Sequence, residues 1–325
     1  AGVMQVNGLD WALAANPTKP VSCTVSAGTL VWCTSATNAV GVNFASVTVG
    51  SGATLQLGTN STAGAVFTNV VNDGTLTFNR SDAYTFTNVI SGAGAVVQKG
   101  SGALTLSGAN TYGGETLVSN SMLLVKSPGS LGGSGTVTVT GGGAFGGNGT
   151  ISGPVNLTAG ATLAPGGTNT VGTLTLANAG ANALTLNGGS LLFDLSNSAD
   201  VCDKIPVTGT LVLNGANTLA LSFPNGTPPA GTYTLMTYAA KTGSGTLALN
   251  TFYPNATLNV GGTSVSLTVT GPGITALKWK GSVSGTWDTT TTNWLKEGLA
   301  SVYAEGDNVS FDDAASGNFT VSSAG

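Results

Sequence analysis

The chain has 325 residues, 41% of them hydrophobic and only 7% charged, with 50 glycines, three cysteines and no histidine. That is not a disordered composition, which would be poor in apolar residues and rich in charge. The net charge is −4, and the nine basic residues, with Arg80 the single arginine, form no stripe that would neutralise a phosphate backbone; no nucleic-acid partner is expected. No apolar run reaches the ~18–20 residues of a spanning helix, so no membrane insertion by this chain is expected either.

The first 45 residues differ from the rest of the chain. They carry Trp11, Trp32 and little alternation, and the stretch at 9–15 holds the chain's best helix pattern. The N-terminal AGVMQVNGLD lacks the basic and apolar regions of a signal peptide, as a processed end or an internal fragment would. Cys23 and Cys33 flank a VSAG turn in SCTVSAGTLVWC, which predicts a disulfide between adjacent strands in an extracellular-type chain. Residues 1–45 are read as an N-terminal cap-like segment, since a solenoid must cover its open end.

From 46 to 271 one pattern repeats: glycine, a small residue, then alternating apolar and hydroxyl side chains. It appears as GATLQLG (52–58), GTLTFN (74–79), GALTLSG (102–108), GTVTVTG (135–141), GTLTLANAG (172–180), NALTLNGG (182–189), GTLVLNGANTLALSF (209–223), GTLALN (245–250) and TSVSLTVTG (263–271). Alternation in short runs broken by Gly or Asn marks half-buried strands. Starts recurring every ~10–30 residues without fixed aromatic marks fit a solenoid better than a propeller. The expected fold is all-β, a right-handed parallel β-helix (β-solenoid) with irregular terminal segments. At ~20 residues per coil it would hold about 11–12 coils, with Gly and Asn at corners of positive φ.

Beyond Gly271-Pro272-Gly273 the composition shifts again: Trp279, Trp287 and Trp294 fall within sixteen positions, and Asp288, Glu305, Asp307, Asp312 and Asp313 concentrate here. Residues 272–325 are a separate Trp/Asp-rich segment.

The stretch QKGSGALTLSGANTYGGETLV (98–118) resembles the autotransporter-associated β-strand repeat of secreted bacterial passenger regions. Lys99, Gly100, Gly102, Leu104, Leu106, Gly108, Asn110, Thr111, Tyr112, Gly114 and Thr116 match its pattern in order. Residues 188–221, with Asp203, Ile205, Val207 and Gly209, are similar to later coils of such passengers. The segment from Trp279 through Gly281, Trp287, Asn293, Trp294, Gly306, Asp307, Phe311 and Asp312 is similar to the start of another passenger unit. The resemblance implies a secreted or cell-surface β-helix with adhesive, matrix or fibre roles and no shared catalytic activity.

Residue chemistry points the same way. Without histidine, Ser–His–Asp and Cys–His arrangements are excluded within this chain, and Cys202 has no histidine to activate it. Asp194, Asp200 and Asp203 beside Lys204 are the one cluster that could pair carboxyls for sugar hydrolysis. A polar loop within the structural repeat is the stronger reading. Asp307, Asp312 and Asp313 could offer oxygen ligands to calcium, but their spacing fits no EF-hand loop and turn-capping is preferred. GGGAFGGNG (141–149) lacks the lysine of a phosphate loop. The eight Asn-x-Ser/Thr sequons are expected by chance in so Asn- and Thr-rich a chain. No catalytic, cofactor or metal site is therefore expected. The expected function is a non-catalytic extracellular filament, with other copies as head-to-tail partners meeting through Trp11, Trp32, Trp279, Trp287 and Trp294. Surface glycans are the alternative partner, and a polysaccharide-degrading enzyme is the least favoured reading.

Overall fold

Every third strand along most of the chain returns to the same sheet, one rung further on. In the computed structural model, residues 3–6, 21–33, 44–251, 253, 255–270, 277–296, 299–303, 309–311 and 322–323 are described. They contain strands and no helix. The helix expected at 9–15 lies outside them.

The coils build three walls. The first is an eleven-stranded sheet running from Val3–Val6 through Thr54–Ser61, Ala95–Gln98 and Val155–Leu157 to Ala240–Thr242. The second has eight strands, from Tyr84–Phe86 to Thr246–Leu249. The third is broken into successive short sheets: one from Val21–Val25 to Ile90–Ser91, one from Ala109–Asn110 to Thr175–Leu176, and one beginning at Ile205–Pro206. Pairing between successive coils is parallel in all three walls. The chain is a parallel β-helix, as the repeat spacing predicts. Register fixes the coil length: Val137 lies over Val155, 18 residues on, and Thr210 over Ala240, 30 residues on. Eleven strands at ~4.8 Å give a rod about 50 Å long.

Alternation turns one side of every strand inward, where like stacks on like. On the first wall one inward column reads Leu55, Leu76, Val96, Thr116, Val137, Val155, Leu184 and Leu211. Thr116, the one hydroxyl, is buried because it meets the buried Tyr112 hydroxyl at 2.7 Å. That contact accounts for the Tyr and the second Thr of the NTYGGET stretch. Outside the same wall, Asn156, Asn187 and Asn214 chain their amides at 2.7 and 2.9 Å.

The motif glycines serve a different end from the one expected. Gly100, Gly102, Gly108 and Gly114 are not among the residues with positive φ. A Cβ on Gly102 would run into the Asp82 carbonyl, and one on Gly108 into that of Asn88. These glycines let one coil lie on the backbone of the coil before it.

The two ends differ from the middle of the rod. Within residues 1–45, strand Val3–Val6 pairs in register with Thr29–Trp32, which pairs in turn with Thr54–Ser61, so these strands belong to the stack. At the far end the third wall reverses. Gly231–Thr237 pairs parallel with Ile205–Pro206 but antiparallel with Ser264–Val269, which pairs antiparallel with Ala256–Val260. The turn between the last two holds Gly261-Gly262, a hairpin signal. The described residues between 277 and 323 form small sheets of their own, with Trp279 and Trp294 in a separate core.

Replacing Gly102 by Ala is expected to lower the thermal unfolding midpoint, because the obstacle is backbone that cannot rotate away. Replacing the well-separated Gly52 by Ala, where nothing stands within 4 Å but φ is +73°, isolates the smaller cost of strain. Equal midpoints for Gly102→Ala and the wild type, by circular dichroism, would refute the close-contact account.

Candidate functional site

Few polar side chains are buried in this rod, and they mark where chemistry could reside. The carboxylates of Asp194 and Asp203 are both fully buried. Asp194 ends strand Ser190–Asp194 of the second wall; Asp203 lies beyond the exposed turn at Asp200, whose φ is +59°. The Asp203 Oδ1 accepts the Gly172 N–H at 2.7 Å and its Oδ2 the Asp194 N–H at 2.8 Å. The Asp194 Oδ2 accepts the Thr170 N–H at 2.6 Å. The two acids thereby bracket the loop 166–172. Burial pushes the Asp203 carboxyl up to about 7; two donated N–H groups oppose this and the Asp194 charge adds to it.

This geometry does not suit sugar hydrolysis. A glycosidase needs two carboxyls facing each other across a cleft about 5–9.5 Å wide. Here three of the four carboxylate oxygens accept backbone N–H groups. The neighbouring cavity, lined by Thr173, Lys204, Pro206, Thr234 and Met236 among others, has a volume of about 90 Å³. None of Asp194, Asp200 and Asp203 lines it. Asp307, Asp312 and Asp313 lie outside the described residues. Among the described residues no cluster of His, Cys, Asp or Glu is suited to a metal.

The expected disulfide is not formed: Cys23 and Cys33 are free, half-buried thiols. The reason is topological. Cys23 sits on the third wall, where it lies over Val47, whereas Cys33 comes directly after a strand of the first wall. The VSAG segment is a corner between walls and not a hairpin, so the two strands never become neighbours. Cys202 is buried, and desolvation pushes its thiol up to about 11.

The tryptophans expected at an assembly interface are turned inward. Trp32 is 5% exposed and meets Phe44 edge-on at 5.2 Å. Trp279 and Trp294 are buried against each other at 4.9 Å, with the half-buried Trp287 and Tyr303 and the exposed Phe311 around them. Trp11 lies outside the described residues. Beside this cluster the buried Asn293 accepts the N–H groups of Val283 and Ser284 and donates to Ser284 Oγ and the Thr286 carbonyl. Bonds from the Thr291 hydroxyl and N–H, with those of Thr290, hold the Asp288 carboxyl down at about 2.

Sequence reasoning missed the buried braces. Asn110 accepts the Ile90 N–H from the coil below and donates to the Ser130 carbonyl in the coil above. Asn217 accepts the Gly188 and Gly189 N–H groups from below and donates to the Thr246 carbonyl above. Each spans three coils, and each stands in a GANT tetrapeptide, a repetition that could have flagged both. Arg80 is consumed likewise: its guanidinium reaches the Gly64 and Thr62 carbonyls, pairs with Asp82 at 2.8 Å and lies over the Tyr84 ring.

No protein-family model matches the chain, and comparison with curated proteins finds no match.

These placements can be tested. Replacing Asn217 by Leu leaves the Gly188 and Gly189 N–H groups unpaired and is expected to destabilise the rod by about 1–3 kcal/mol, read from denaturant unfolding; a change within error would mean the amide braces nothing. In native protein at pH 8, iodoacetamide should label Cys23 and Cys33 but spare Cys202, whose thiolate fraction is on the order of one in a thousand. Three labels in denaturant without reductant would complete the result, whereas a single label there would reveal a disulfide.

Proposed function

We propose that the chain is a non-catalytic structural protein of the bacterial cell exterior, a stiff rod that extends by end-to-end association of solenoids in a surface or matrix filament. The observation that carries this reading is the incompletely covered end of the stack. The strand Ala256–Val260 is the last of its sheet, and its core-facing Ala256, Leu258 and Val260 are only partly buried, as is Leu249 nearby. Ala240–Thr242 and Thr246–Leu249 are likewise the last strands of the first and second walls. A terminal strand offers unpaired N–H and C=O groups as a template for another chain. Contact between opposite ends is heterologous and propagates.

The composition and the resemblance to passenger repeats support an extracellular setting. The burial of Trp32, Trp279 and Trp294 removes them as contact residues, so the apolar end row takes that role. Lys241 closes the inward column of the first wall above Leu211, a charge that limits indiscriminate stacking there. A glycan-binding role draws less support, since the rings that would stack on sugars are largely packed into cores. Absence of turnover on a glycan panel is the corresponding expectation for catalysis.

Sedimentation of the intact chain over a range of concentrations tests the filament. Association growing with concentration, and lost in Leu258→Asp and Val260→Asp, is expected. An intact chain that stays monomeric at high concentration, with isolated short rods in electron micrographs, would sink the reading.

A further inference from the structure

Four Asn-Gly pairs lie among the described residues, beginning at Asn148, Asn187, Asn214 and Asn225. In this dipeptide an asparagine amide is readily lost, because glycine has no Cβ to hinder its backbone nitrogen from meeting the asparagine side chain. The reaction needs two freedoms. The side-chain amide must swing toward the next nitrogen, and that nitrogen must be released from its own hydrogen bond.

Three of the pairs are held by the stack. The Asn148 side-chain oxygen accepts the Ser127 N–H at 2.9 Å, and the Gly149 N–H is bound to the Val125 carbonyl at 2.9 Å. Asn187 is held on both sides of its amide: it donates to Asn156 Oδ1 and accepts from Asn214, while the Gly188 N–H is held by the buried Asn217. Asn214 is exposed, but its amide is tied to Asn187 and its backbone carbonyl accepts from Asn217 at 3.1 Å. Freeing any of these three loosens a place where coils join.

Asn225 is differently placed. It is exposed, and its amide makes no hydrogen bond with a described residue. It stands in the turn Phe223-Pro224-Asn225-Gly226, between strands Ala216–Ser222 and Gly231–Thr237 and in neither. The Gly226 N–H meets the Phe223 carbonyl at 3.2 Å, a bond that closes the turn and belongs to no ladder. It can open without disturbing the stack. The turn is anchored on both sides, by Phe223 edge-on against Tyr253 at 6.1 Å and by the Tyr233 hydroxyl donating to the Pro229 carbonyl at 2.7 Å. A change within it therefore stays local.

We propose that Asn225 is a self-modification site, at which the native rod converts an amide into a carboxylate with time. The Gly226 nitrogen attacks Asn225 Cγ; the N–Cγ bond forms, the Cγ–Nδ2 bond breaks, and the proton from the attacking nitrogen leaves with the amide as ammonia. Water then opens the cyclic imide at either carbonyl. The product is aspartate, or isoaspartate with the backbone routed through the side chain. Water is the only other reactant. Each converted copy gains one negative charge on the surface of a chain in which only 7% of residues are charged.

The test is to age the intact protein in mildly alkaline buffer and locate the product by tandem mass spectrometry. The native chain should gain about 1 Da at residue 225 at least about tenfold faster than at 148, 187 or 214, with isoaspartate among the products. In denaturant the braces are gone and every pair has the same following glycine, so the four rates should converge to within about threefold. The gain at 225 should vanish in Asn225→Gln. Native conversion at 225 that is no faster than at the other three overturns the proposal. So does a preference for 225 that survives unchanged in denaturant, since the fold would then not be its cause.

Discussion

Everything in this rod depends on the parallel backbone ladder between one coil and the next. It sets a spacing of ~4.8 Å that no side chain can enlarge. Where a corner crosses the coil beneath, a Cβ no longer fits, hence Gly102 over Asp82 and Gly108 over Asn88. Where the ladder is interrupted, a side chain must supply the missing backbone partner. That is the role of Asn110 where the third wall changes from one short sheet to the next. Low charge is affordable because the ladders pair the strands' backbone groups with those of neighbouring coils, and the buried Arg80, Asp194 and Asp203 are tied to specific carbonyls or N–H groups.

Much of this is legible in the sequence. Alternation with glycine breaks identifies the strands, and the absence of aromatic periodicity separates a solenoid from a propeller. What escapes has physical causes. Cys23 and Cys33 look like hairpin partners because a four-residue corner and a four-residue turn read alike in one dimension; only the wall assignment separates them. The closing hairpin at 256–269 is hidden because its strands carry the same alternation as the parallel coils, and Gly261-Gly262 resembles one more corner. In sequence the tryptophans look like apolar area in need of a partner copy, yet clustered rings can bury one another, as Trp279 and Trp294 do.

The buried polar groups divide into two kinds. Asn110 and Asn217 join coils through amides, which carry no charge to gain or lose, so their grip is indifferent to pH. Asp194 and Asp203 use carboxylates for an equivalent structural task. Burial pushes the Asp203 carboxyl up to about 7, so its share of the bracket is exposed to protonation. Their spacing in sequence draws attention to hydrolysis, and their actual partners are backbone N–H groups.

The asparagine braces bear on how such a rod answers a pull along its length. The backbone bonds between coils run parallel to the long axis, so tension from the two ends would strip one coil from the next, bond after bond, with little resistance at each step. Asn217 ties the coil containing Gly188 and Gly189 to the one containing Thr246 through its own. Peeling at either face of that coil must break a side-chain bond as well as the backbone ladder. Each of those interfaces holds more bonds than the backbone alone provides, and the rod would yield under load in uneven steps, with firm stops at the two GANT corners.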